Sequence, residues 1–240
     1  DLMNNSPLVK RLIASLLVVT SLALAESHEE LIDRAFQAVE DDLSARWSYT
    51  RTEEDQDGVY VGRYDPRQPE SERWTLITVD GREPSAEETE DYLAERNREP
   101  AGDNDDDEKE LNSMVEKGSA VLLEETDSFW LFGFKPRGDT EDDRAFMESV
   151  DGTLKIVKDG HYVAEIALQN SSPIKPAKGV KIKAFFTRLA FAPIEDGGPA
   201  LPRSVQASIQ GKAFFVMNID ESETVTFSEF EQVLDPAPQP

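Results

Sequence analysis

The chain has 240 residues, with 49 acidic against 25 basic side chains, a formal charge of −24 and no cysteine. Such a charge argues against nucleic acid and anionic membrane surfaces as partners, because both repel it. The missing thiols exclude zinc ribbons, redox pairs and thiol catalysis, and a chain of this size can bury about 70% of its unfolded surface in one core.

Lys10 and Arg11 precede an apolar run over 12–24, and Ala23-Leu24-Ala25 is a small-x-small site. These are the three parts of a secretory signal cut after Ala25. Thirteen helical residues reach only about 20 Å, short of the roughly 30 Å hydrocarbon core, so an anchor is disfavoured. An exported chain without disulfides points to a bacterial periplasm, and no thiol exists for acylation. The mature protein is therefore expected to be soluble and not membrane-spanning.

Ser27 with Glu30 forms a capping box. Behind it Ile32, Phe36, Val39, Leu43 and Trp47 keep helical spacing, which predicts one amphipathic helix. Strands are predicted at 47–52, 59–64 and 73–79, the last closed by Asp80-Gly81. Pro84-Ser85 with Glu88 opens a second helix whose few apolar positions include Tyr92 and Leu93, so it belongs on the surface. The acidic segment 99–110 can bury nothing and reads as a loop. A short helix at Leu111, Met114 and Val115 leads to strands at 120–123 and 128–134. Thr140 caps a third helix carrying Ala145, Phe146 and Val150, ended by Asp151-Gly152.

From 153 to 233 the pattern is antiparallel. Leu154 and Ile156 alternate with Lys155 up to Asp159-Gly160, and Tyr162, Ala164, Ile166 and Leu168 share a face beyond it. Alternation on both sides of Asp-Gly is a strong hairpin signal. A long strand over 180–192 slips near Ala184-Phe185-Phe186, as a bulge would cause. The strand over 204–210 is expected to turn at Gly211-Lys212 into 213–219, and a last strand over 224–230 to follow Asp220-Glu221-Ser222. Pro236, Pro238 and Pro240 mark a tail. The expected organisation is a signal peptide at 1–25, one α+β domain at 26–234 and a tail at 235–240.

Three strands are apolar on both faces: around Phe129, Trp130 and Leu131; around Phe185, Phe186 and Leu189; and over 213–217. An antiparallel sheet normally keeps one wet face, so helices, an apolar ligand or both must cover the second. Catalytic chemistry is hard to find. His28-Glu29 lacks the second histidine of a zinc-protease motif, since position 32 is Ile32; His161 flanks a turn. No G-x-S-x-G elbow, phosphate loop or dinucleotide fingerprint occurs. Glu53, Asp55 and Asp57 before Gly58 suggest a calcium loop, but its twelfth position is Tyr64. A divalent ion could still bind weakly at 103–108. No catalytic residue, metal site or cofactor is assigned.

With its leader, N-terminal amphipathic helix and long antiparallel array, the chain resembles the periplasmic lipoprotein carriers of the LolA and LolB type. Tyr64-Asp65-Pro66-Arg67, Trp74-Thr75-Leu76, Pro84-Ser85, Leu201-Pro202-Arg203 and Gly211-Lys212-Ala213-Phe214-Phe215 also look like segments of exported bacterial proteins. The resemblance implies a curved antiparallel half-barrel whose concave face is covered by helices and holds acyl chains. The function expected from it is lipoprotein transport or lipid binding, without catalysis. Candidate lining residues are Phe36 and Leu43 from the covering helix, with Phe129, Leu131, Phe185, Phe215 and Met217 from the sheet. Two alternatives are an acidic interaction or scaffold module with a filled core and a carboxylate-dependent hydrolase.

Overall fold

Ser27 starts the first helix as its composition predicts: its hydroxyl accepts from the Glu30 amide while the Glu30 carboxylate accepts from the Ser27 amide. The computed structural model describes residues 27–40, 43–96, 111–138, 140–214 and 217–233. The expected leader, the whole acidic segment 99–110 and the proline tail lie outside these residues. Within them, α1 (His28–Phe36), α2 (Leu43–Arg46), α3 (Ala86–Arg96) and α4 (Glu141–Met147) are the α-helices. The strands are β1 (Trp47–Glu54), β2 (Val59–Tyr64), β3 (Trp74–Val79), β4 (Val121–Glu125), β5 (Phe129–Phe134), β6 (Val150–Val157), β7 (Tyr162–Asn170), β8 (Val180–Pro193), β9 (Ala200–Ala213) and β10 (Met217–Gln232).

All ten strands join one antiparallel sheet in the order β3-β2-β1-β10-β9-β8-β7-β6-β5-β4. The sheet is not closed; β3 and β4 are its edges. The chain builds β1 to β3 outward, crosses to the far edge, then returns strand by strand until β10 pairs with β1. The crossing passes through α3 and a 3-10 turn, Leu111–Met114.

Register fixes which residues share a face, because directly paired residues in an antiparallel ladder project to the same side. Phe185 pairs with Ile209, Ala207 with Glu223, Val205 with Val225, Phe227 with Arg51, Arg51 with Gly62, and Gly62 with Leu76. One face of the sheet therefore runs continuously from β8 to β3. The same face extends through Leu189, Ile166, Leu154 and Phe132 to β5.

All three longer helices pack on that face. Leu31, Ile32, Ala35 and Phe36 of α1 are buried with Phe132, Phe134, Leu154, Ile156, Val163 and Ile166, and His28 meets the Phe132 ring edge-on at 5.2 Å. Phe146 of α4 stands edge-on to Phe185 at 5.4 Å. At the other end Tyr92 of α3 joins Leu76 and Val79. It lies so close over Gly62 that any side chain there would overlap its hydroxyl. A third cluster of Trp47, Tyr49, Tyr64 and Leu201 links the two ends.

Four sequence expectations change. The helix predicted to run on to Trp47 stops at Phe36, because Val39 bridges to Ala200 and the amides of Glu40 and Ala200 bond across to Ala200 and Ala38. Val150 and Asp151-Gly152 belong to β6 and do not end α4; Gly152 is there because the Phe134 ring occupies the space of a Cβ. The β9–β10 hairpin does not turn at Gly211-Lys212. Gly211 sits inside the ladder, where an added Cβ would come within 2.5 Å of the Lys181 carbonyl oxygen, and the positive φ of 49° falls at Phe214. Asp220-Glu221-Ser222 pairs with Gln210, Ile209 and Ser208, so β10 is one strand throughout. In β8 the register shifts between Ile182 and Ala184, beside the point where the alternation slips.

Candidate functional site

The sheet-and-helix face is apolar at both ends and mixed in the middle. Under α1, Ala35, Phe132, Val150, Leu154, Ile156, Val163 and Ile166 have no exposed surface, so that end is filled by the protein's own side chains. On the same face Thr187, Leu189, Val205, Ala207, Ile209 and Phe227 are half-buried, Leu189 and Ile209 against the α1 cluster and Phe227 against that of Trp47. They form an apolar strip across β8, β9 and β10.

Beside this strip α3 adds charge. Arg96 is buried and pairs with Glu53, and Arg51 Nε lies 2.8 Å from the same Glu53 oxygen as a second ion-pair partner. The Arg96 guanidinium also stands 5.1 Å from the Tyr92 ring centre and 5.6 Å from that of Trp74. Burial pushes the Glu53 carboxyl above its ordinary range, against the opposing pull of Arg51 and Arg96. Burial likewise raises Tyr49 and Tyr92. A covered ion pair at a helix–sheet contact explains these shifts.

A cleft of about 1890 Å³ opens along the outer flank of α1, between it, the 111–118 segment, the 135–138 loop and α4. Ile32, Phe36, Val39, Leu111, Val115 and Met147 supply apolar wall. Around them stand Glu29, Asp33, Glu40, Lys117, Lys135 and Arg144. Glu40 is held rigidly: its side chain is 2% exposed, accepting from Arg46 at 3.1 Å and from the Trp47 indole at 3.0 Å. The cleft is therefore amphiphilic, with charged and apolar side chains sharing its wall.

The seven residues singled out from the sequence are dispersed by this architecture. Phe36 is buried under α1 and lines the cleft. Phe185 is half-buried against Phe146 in the same cluster. Leu43 packs instead with Trp47, Tyr49 and Tyr64. Phe129 and Leu131 alternate with Trp130, Phe132 and Phe134, so they project from the opposite face; the Lys155 ammonium lies 4.4 Å from the Phe129 ring centre. Met217 is 62% exposed at the start of β10. Phe215 lies outside the described residues. Sequence reasoning missed Ile32, Val39 and Met147 as wall residues, and Arg96 as a buried group.

The histidines have structural partners. Arg34 donates to His161 Nδ1 at 3.2 Å, and His161 Nε2 donates to the Leu31 carbonyl at 3.3 Å, which ties α1 to the β6–β7 hairpin. Asp55 accepts from the amides of Asp57 and Gly58, the hydrogen bonding of a turn. Among the described residues no group of three or more His, Asp or Glu side chains could hold a metal, and no helix is long and apolar enough to cross a membrane. The segment 103–108, where a weak divalent site was expected, lies outside them. No family model, curated protein or solved structure matches the chain.

Proposed function

We propose that the protein is a non-enzymatic carrier for an apolar ligand, a lipid or acyl chain, working outside the cytoplasm after export. In this reading the open sheet curves into a half-barrel, α1, α3 and α4 cover its concave face, and the chain lies in the cleft beside α1. The observation that carries it is the cleft itself. Its volume of about 1890 Å³ exceeds that of usual small-molecule pockets, roughly 300–1,000 Å³, and its wall combines apolar side chains with charged groups suited to a headgroup. Burial of chain methylenes, at about 25 cal/mol per Å² of apolar surface, supplies the driving force.

Native mass spectrometry of protein purified from a bacterial periplasm tests this. Co-purified lipid, displaced when Met147→Trp fills the cleft in a variant with unchanged circular dichroism, is the expected result. Wild-type protein that is lipid-free as isolated and after incubation with long-chain fatty acids and phospholipids would contradict it.

A second reading, an interaction module with a filled core, is favoured by the complete burial of Ala35, Phe132 and Leu154 beneath α1. It predicts the lipid-free outcome, together with a protein partner whose capture weakens with salt.

A further inference from the structure

In a chain of charge −24, one corner of the sheet, where the 171–179 loop meets the β9–β10 hairpin, carries the opposite sign. Five of the eleven lysines, Lys175, Lys178, Lys181, Lys183 and Lys212, fall within 175–212, and all five are exposed. Neither 173–186 nor the described residues 209–214 and 217–218, which meet at this corner, contain Asp or Glu. None of the five lysines enters an ion pair among the described residues.

Pairing brings the two segments together. Lys181 faces Lys212, Val180 faces Ala213, and Ala213 faces Met217. Ile174 bridges to Ile182 and the Phe214 amide donates to the Gly179 carbonyl at 2.7 Å, so the lysine-bearing loop is fastened to the hairpin tip. At the tip Phe214 is 67% exposed and Met217 62% exposed. These are the two most exposed large apolar side chains among the described residues, and they stand beside the densest positive charge.

We propose that this end is a docking tip for the surface of anionic lipid bilayers. Cationic side chains ringing exposed Phe and Met match the two layers of such a surface. Lysines meet lipid phosphates while the apolar groups enter the boundary below the headgroups. Along β10 the first acid behind the tip is Asp220, three residues from Met217, or about 10 Å, and the acidic turn at 53–57 stands level with it, Gln56 Nε2 donating to the Asp220 carbonyl. That is about one Debye length at 0.1 M salt, so the acidic body is largely screened from a membrane that the tip touches. The repulsion expected from total charge is thus overridden locally. A nucleic acid would satisfy the lysines but leave Phe214 and Met217 in water. Docking requires no cargo in the α1 cleft and stands or falls separately from the carrier reading.

Sedimentation of the whole protein with vesicles tests it, comparing pure phosphatidylcholine with an equal mixture of phosphatidylcholine and phosphatidylglycerol. The anionic vesicles are expected to bind roughly tenfold more tightly at about 100 mM salt and to release the protein at about 500 mM. Lys181→Glu with Lys212→Glu should abolish binding, whereas Lys155→Glu with Lys158→Glu, of identical net charge, should not. Phe214→Ser with Met217→Ser should weaken binding several-fold at unchanged charge, with the fold of each variant checked by circular dichroism. Equal affinity for both vesicles, no binding to either, equal loss in both charge-reversed variants, or capture by polyaspartate in place of vesicles would overturn it.

Discussion

Gly211 shows how a single position decides local geometry. It reads as half of a turn, yet it is a glycine because the β8 backbone passes 2.5 Å from where a Cβ would stand. Gly211→Ala should cost about 1–3 kcal/mol by overpacking, read as a lowered denaturant midpoint. Arg96 was equally hidden: nothing in a polar helix marks one arginine for burial, and only α3 docking on β2 and β3 reveals it. Arg96→Ala leaves the covered Glu53 with Arg51 as its cation and should cost about 1–3 kcal/mol in the same assay. Two carboxylates then give opposite pH dependences. Glu88 is lowered to about 2, first by hydrogen bonding from Arg82 and then by the Ser85 amide. Its contribution is complete above the ordinary value near 4.5 and is lost as pH falls through about 2, and Glu88→Gln removes that part of the profile. Glu53 is raised, so the folded state takes its proton more readily than the unfolded state does, and stability gains as pH falls through its folded pKa. Glu53→Gln abolishes that gain, seen by thermal denaturation across the acid range.

Among the elements, capping boxes and Asp-Gly turns were readable because they act over three or four residues. Ser27 with Glu30, Ser85 with Glu88 and Asp80-Gly81 all appear where the sequence places them. The first helix was overextended because Ile32, Phe36, Val39, Leu43 and Trp47 fit a helical period that tertiary pairing overrides after Phe36. Val39 is apolar for its bridge to Ala200, and Trp47 for its place against Phe230 in a separate cluster. Glu40 fastens this break. Glu40→Ala should strand the buried Trp47 indole N–H, costing about 1–3 kcal/mol and changing the Trp47 environment, which its fluorescence would report. The candidate lining residues on β5 were chosen without knowing which parity faces α1. Phe129 and Phe132 are equally apolar in sequence, and only the register against Leu154 separates them.

For the molecule as a whole, alternation along 153–233 identified an antiparallel sheet, but strand order was not legible: nothing local says that β4 follows β3 in sequence at the opposite edge. That arrangement makes β10 and β1 the seam between the first and last parts of the chain. Amides in β6 and β7 should exchange far more slowly than those of the edge strands β3 and β4, which have a neighbour on one side only. Clearest of all is whether the α1 cleft takes up an apolar chain. Calorimetric titration of delipidated protein with a long-chain fatty acid, repeated at several temperatures, measures this directly. Saturable binding with a negative heat-capacity change, lost in Met147→Trp, is the predicted result. No heat of binding at any temperature, or binding undiminished in Met147→Trp, would contradict it.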